Sequence, residues 1–90
     1  MMINETNWIK FFDTFSHTNL PFIKAISDQT PSLSDTQFKV CTYLRAGHST
    51  NYIAKELNIS IRAVENHRYQ LRQKLHIKHG ENLTAHLMRY

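Results

Sequence analysis

Apolar residues in this chain recur at steps of three and four, and each periodic run ends at a recognisable stop. Trp8, Phe11, Phe12 and Phe15 stand at i, i+3, i+4 and i+7, and the spacing predicts an aromatic-striped helix over 5–16. His17, Thr18 and Asn19 interrupt it, and Pro21 suits the first turn of a second short helix that buries Phe22, Ile23 and Ile26. Residues 28–32, with Pro31 and small polar side chains, read as a loop and as the boundary between two segments. Ser34 and Gln37 then fit a capping box: the hydroxyl accepts from the third helical N–H while the amide reaches back. Leu33 just before the cap pairs with Phe38 as a staple. Phe38, Cys41 and Leu44 mark the inward face, and Gly47 can take the left-handed conformation that ends the helix.

The next stretch holds a short helix, a tight turn and a long helix. Ser49 caps a helix over 50–57 with Ile53, Ala54 and Leu57 inward. Asn58 tolerates left-handed geometry, Ile59 plugs the space between helices, and Ser60 caps a helix over 61–76. On a 3.6-residue wheel Val64, Leu71 and Leu75 fall on one side. Arg62, Glu65, Asn66, Tyr69 and Gln73 fall largely opposite. Gly80 or a neighbour separates a last helix over 81–89, with Leu83 and Leu87 inward. The expected fold is all-α, with a helical extension over 1–32 and a four-helix domain over 33–90.

A short helix turning into a longer one with a polar outer face suits a duplex: the first crosses the backbone while the second enters the major groove, where base edges display donors and acceptors. The same pattern also serves a helical protein-interaction or dimerisation module. Charge favours the first reading. The chain carries a formal +4, unevenly spread. Residues 1–33 hold Lys10 and Lys24 against Glu5, Asp13 and Asp28, a net −1; residues 34–80 hold eight basic groups against Asp35, Glu56 and Glu65, a net +5. The positive excess therefore coincides with the helix pair.

Other chemistry is scarce. Ninety residues make one compact domain with little room for an elaborate enzyme cleft, and no paired catalytic groups emerge. Cys41 stands alone and at a buried position, which fits a reducing compartment and gives no nucleophile pair. His76 and His79 are three apart, but no His/Cys/Asp constellation has structural-zinc spacing, so neither metal nor cofactor is expected. Two glycines exclude a phosphate loop. Asp35 reads as favourable charge at a helix start. No apolar run approaches the ~20 residues of a membrane span, and the start lacks a basic segment before an apolar core. A cytoplasmic location follows by elimination.

The stretch LSDTQFKVCTYLRAGHSTNYIAKELNISIRAVENHRYQLRQKLHIKHGENLTAHL resembles the DNA-binding domain of LuxR/GerE-type bacterial transcription regulators. Its marks are Leu33 and Ser34 opening the first helix, Gly47 ending it, Ile53-Ala54 with Leu57, Ile59-Ser60, Val64, His67 and Lys74-Leu75. The form VENHRYQLRQKL, with the aromatic lead-in, is most similar to the C-terminal ends of large regulators in the Bacteroidetes. The resemblance implies a four-helix domain whose third helix reads DNA and whose fourth commonly forms the dimer contact. It also implies control by an upstream or separate sensor domain, in either a freestanding regulator or part of a longer one.

Carried residue by residue, the expected DNA contacts are Thr50, Asn51, Arg62, Glu65, Asn66, His67, Arg68, Tyr69, Arg72 and Lys74. Many members of the family have lysine where this chain has Glu65. Its carboxylate can accept from cytosine N4, pair with Arg62 or Arg68, or stay solvated. Asn66 suits adenine, and Tyr69 suits a thymine methyl or a phosphate. Arg62, Arg72 and, at the apolar edge, Arg68 suit phosphates. His67 is expected to pack and hydrogen-bond; Lys74 contacts phosphate or caps late carbonyls. Asn51 stands where lysine is usual, so Thr50, Asn51 and the local amides offer neutral donors instead. The expected partner is double-stranded DNA, bound by a homodimer joined through Leu83, Leu87, Met88 and Tyr90, with half-sites about 34–36 Å apart. The aromatic stripe of the extension either packs on the basic segment or supplies a docking surface.

Overall fold

The computed structural model describes residues 5–90; Met1 to Asn4, the first residues of the expected extension, lie outside them. The described residues form six helices: α1 (Glu5–Thr18), α2 (Leu20–Gln29), α3 (Asp35–Arg45), α4 (Thr50–Leu57), α5 (Ile61–Lys74) and α6 (Leu83–Leu87). Local chemistry sets most of these limits. Pro21 lies in the first turn of α2, where its missing N–H has no intrahelical acceptor to lose. Ser34 Oγ accepts from Gln37 N–H at 3.1 Å and Gln37 Oε1 accepts from Ser34 N–H at 3.0 Å, completing the capping box. Ser49 and Ser60 likewise accept from the N–H groups of Tyr52 and Ala63.

Helices α3, α4 and α5 stop in one way. A residue with positive φ (Gly47, Asn58, His76) is followed by one whose N–H reaches a carbonyl five residues back. These bonds run from His48 to Tyr43, Ile59 to Ala54, and Ile77 to Arg72, at 3.0–3.1 Å for the first two and 2.9 Å for the last. Each satisfies a carbonyl the helix end would otherwise orphan. His76 is why α5 ends at Lys74 instead of running to 76. A β-carbon is strained at φ 56, and the compensation is Ile77, which the turn delivers onto the core.

The core joins both ends of the chain. Phe15, Phe22, Ile26, Val40, Cys41, Tyr43, Leu44, Ile53, Ala54, Val64, Leu71, Leu83 and Leu87 form one buried cluster. Burying aliphatic and aromatic side chains of this size contributes about 1.5–3 kcal/mol each. The aromatic stripe of α1 packs inward, as the first of its two readings had it. Phe11 lies nearly parallel to Tyr43 with ring centroids 4.1 Å apart, Trp8 meets Phe38 edge-on at 6.3 Å, and Phe15 meets Phe22 edge-on at 6.0 Å. Ile23, Leu57, Ile59 and Leu75, expected inward, are half-buried against this cluster. Burial pushes the Cys41 thiol up to about 12, with nearby Arg45 pulling weakly the other way, so it is an inert packing group.

The last helix is shorter than the 81–89 expected. Asn82 is extended and its side chain accepts from Ala85 N–H at 2.9 Å, which starts α6 two residues late. Beyond α6, Arg45 of α3 donates to the carbonyls of Leu87 and Tyr90 and lies 4.9 Å over the Phe22 ring. One guanidinium thus ties the chain end to α2 and α3. Tyr90 meets Phe22 edge-on at 5.5 Å and donates to Gln29 Oε1 at 3.3 Å.

Candidate nucleic-acid interface

The helix-turn-helix consists of α4, the turn at 58–60 and α5. Ile53 and Ala54 of α4 and Val64 and Leu71 of α5 are all buried, so the shared apolar side fixes how α5 can rotate. Its opposite side is open. Arg62, Glu65, Asn66 and Tyr69 are exposed, Tyr69 by 62%. The helical repeat puts these four on one face over two turns, about 10 Å along the axis. The aromatic lead-in, which could have sealed this face, packs instead on α2, α3 and α4.

Charge on that face is lean. Glu65 is in no ion pair or hydrogen bond among the described residues, and neither Arg62 nor Arg68 pairs with it. Of its three expected alternatives, the intrahelical ion pair is absent. Arg68 is half-buried, consistent with a stem lying along the apolar edge. Tyr69 Oη accepts from Gln73 Nε2 at 3.1 Å, so its own proton points to other acceptors. At the start of α4, Asn51 is exposed and Thr50 half-buried, beside the first-turn amides.

Two expected DNA contacts, Arg72 and Lys74, are held by the protein itself. Arg72 donates from one guanidinium nitrogen to Glu81 O and from the other to Lys78 O at 3.0 Å, bracing the turn that carries Gly80. Lys74 Nζ donates to Ser32 O at 2.7 Å and Gln37 Oε1 at 2.8 Å, tying α5 to the loop before α3. Expected at phosphate, or in the case of Lys74 at phosphate or late carbonyls, both side chains have structural partners within the chain. Their heads find carbonyls within reach before any solvent-side partner. His67 is half-buried as expected, but its Nδ1 is buried with no hydrogen-bond partner among the described residues.

The dimer surface also needs correction. Leu83 is 1% exposed and Leu87 0% within a single chain, because α6 lays its apolar side on α3. They fill the core of the single chain. Met88 is 48% exposed, while Tyr90 is half-buried against Phe22.

Sequence reasoning missed Gln37 as a junction. It reads as a capping residue, yet it is 5% exposed, its Oε1 accepts from both Ser34 N–H and Lys74, and its Nε2 donates to Gln70 Oε1 at 2.6 Å. The available signal was its inward position beside the stripe of α3. Of the eight basic residues in 34–80, Arg45, Arg72 and Lys74 hold backbone carbonyls, and Lys39 pairs with Asp35 at 3.3 Å and lies over Trp8. These bonds leave the charge in place but restrain four of the basic heads from reaching out to an anion.

An open groove of about 560 Å³ runs between α1 and α4, lined by Lys10, Phe11, Phe15, Tyr52 and Glu56 among others. No residue of the α5 face contributes to it. No group of three or more His, Cys, Asp or Glu that could hold a metal occurs among the described residues, and none of their helices is long and apolar enough to cross a membrane.

Residues 31–87 match the family described as bacterial regulatory proteins, luxR family. No curated protein and no solved structure matches the chain. The matched region begins in the loop before α3, ends with α6 and encloses the whole helix-turn-helix, a non-catalytic DNA-binding element. With well over half its length inside that match and its helices in the corresponding order, the chain belongs to the luxR family of bacterial regulatory proteins.

Proposed function

We propose that the chain binds specific sequences in double-stranded DNA and regulates transcription by seating α5 in the major groove. One observation carries this reading: the first two turns of α5 present Arg62, Glu65, Asn66 and Tyr69 to solvent while Val64 and Leu71 pin the other side. A groove about 12 Å wide accepts such a helix. Arg62 and Arg68 meet phosphates, and Thr50, Asn51 and the first amides of α4 supply neutral donors to the backbone. Asn66 and Tyr69 address base edges, and His67 packs on the flank. With four basic heads restrained, one copy binds weakly and a homodimer on two half-sites strengthens it. Met88 is the exposed apolar residue at the end of α6 that fits such a contact. DNA as partner places the chain in the cytoplasm. Its relation to large Bacteroidetes regulators, and with it control by an upstream or separate sensor domain, rests on VENHRYQLRQKL and the aromatic lead-in.

A salt-controlled mobility-shift series tests the reading. Arg62→Ala is expected to weaken binding to every duplex, and Asn66→Ala to change preference at one base pair. Equal binding by wild type and both variants rejects it. Absence of DNA affinity at low salt, with saturable binding of a protein partner, assigns the fold to the helical interaction module instead.

A further inference from the structure

Glu65 is an acid in the middle of a face that would lie against a polyanion. Its carboxylate is exposed and has neither an ion pair nor a hydrogen bond among the described residues, although Arg62 and Arg68 lie three residues to either side. An ionised carboxylate only accepts hydrogen bonds. In the major groove guanine offers two acceptors, thymine an acceptor and a methyl, and adenine an acceptor beside its amino group. Cytosine alone presents a donor without a neighbouring acceptor on the same base. A groove-facing carboxylate is therefore repelled by phosphate on every duplex and compensated most fully where cytosine N4 meets it.

We propose that Glu65 is the specificity-determining residue of the α5 face, selecting cytosine by accepting from its N4 amino group and weakening the grip on all other sequences. This inference rests on the DNA-binding reading above and deepens it. Neighbouring groups on the same face are suited to set the register. Tyr69 lies one turn on, about 6 Å along the axis, with its hydroxyl oxygen already accepting from Gln73. Its proton is thus directed to an acceptor such as a phosphate or guanine O6. Asn66, adjacent to Glu65, carries both a donor and an acceptor for adenine.

The test is selection of duplexes from a random pool by the full chain and by Glu65→Gln, followed by affinities at fixed salt. A glutamine amide both donates and accepts, the arrangement that suits adenine N7 and N6. The expected result is a wild-type motif with a cytosine that becomes adenine for Glu65→Gln. Glu65→Ala is expected to lose about tenfold discrimination at that position while tightening binding to unrelated duplexes. Thermal melts of both variants should match wild type, since the side chain is exposed and makes no hydrogen bond or ion pair among the described residues. An unchanged motif with equal tightening on all sequences overturns the inference, because Glu65 is then only a solvated charge. A wild-type chain that enriches nothing and binds no duplex overturns it together with the DNA-binding reading, a result distinct from the first.

Discussion

Along α5, polar side chains of similar kind live in two different circumstances. In the first half Arg62, Glu65, Asn66 and Arg68 make no hydrogen bond or ion pair among the described residues. In the second half Gln70 accepts from Gln37, Arg72 braces the 78–81 turn, Gln73 donates to Tyr69, and Lys74 holds Ser32 and Gln37. The helix is thus an unpartnered probe for two turns and an anchored strut for the rest. An anchored base is what lets the outer half hold base-contacting groups at fixed positions, because rigid support limits the rotation and tilt that blur recognition.

That division can be broken from the largest effect downward. Leu71→Ala removes a fully buried residue on the inner side of the strut and is expected to cost about 2–5 kcal/mol of stability. Chemical denaturation measures it. Gln37→Leu should cost about 1–3 kcal/mol by leaving Ser34 N–H and Lys74 short of an acceptor. Its signature is lost stability with sequence preference intact in whatever fraction remains folded. Arg72→Ala should cost about 1–2 kcal/mol through the freed carbonyls of Lys78 and Glu81, and should leave the salt dependence of DNA binding unchanged.

Arg62→Ala is the converse case. Stability should stay within about 0.5 kcal/mol of wild type, while the slope of log affinity against log salt falls by about 1. If Arg62→Ala destabilises the fold, or Arg72→Ala flattens the salt slope, the two halves of α5 have been assigned the wrong way round.

The smallest expected effect concerns the turn that the strut braces. The His86 ring bonded to Glu81 holds its carboxyl below the ordinary value, with Arg89 adding to the same effect. A carboxylate depressed in the folded chain contributes stability that is present above its unfolded pKa and disappears as pH falls through the folded one. The melting difference between wild type and Glu81→Gln should therefore be present at neutral pH and close in acid below the ordinary carboxylate range. A difference that persists there would mean Glu81 acts through packing.

Much of this organisation was legible in the residues. Ser34, Ser49 and Ser60 mark three helix starts because a hydroxyl before an apolar run has one local use. Gly47 and Asn58 mark two stops because few residues accept positive φ. His76 escaped the same logic, since the stabilising partner is Ile77 and its place on the core is not a local property. Leu83 and Leu87 show a second limit: periodicity says that a stripe is covered but not by what, and here α3 covers it within the single chain. Arg72 and Lys74 show a third. Their long stems reach several Å in any direction, so only the folded positions of Ser32, Gln37, Lys78 and Glu81 decide where the charge settles.

The central claim is that the unpartnered half of α5 is the surface that meets DNA. It is tested most directly by following backbone amide shifts as the full chain is titrated with a duplex recovered by selection. The account expects the largest changes from Ser60 to Tyr69 and at Thr50 and Asn51, with α1 and α2 nearly still. Changes concentrated instead along the α1–α4 groove or α2, with Ser60 to Tyr69 unmoved, would contradict it.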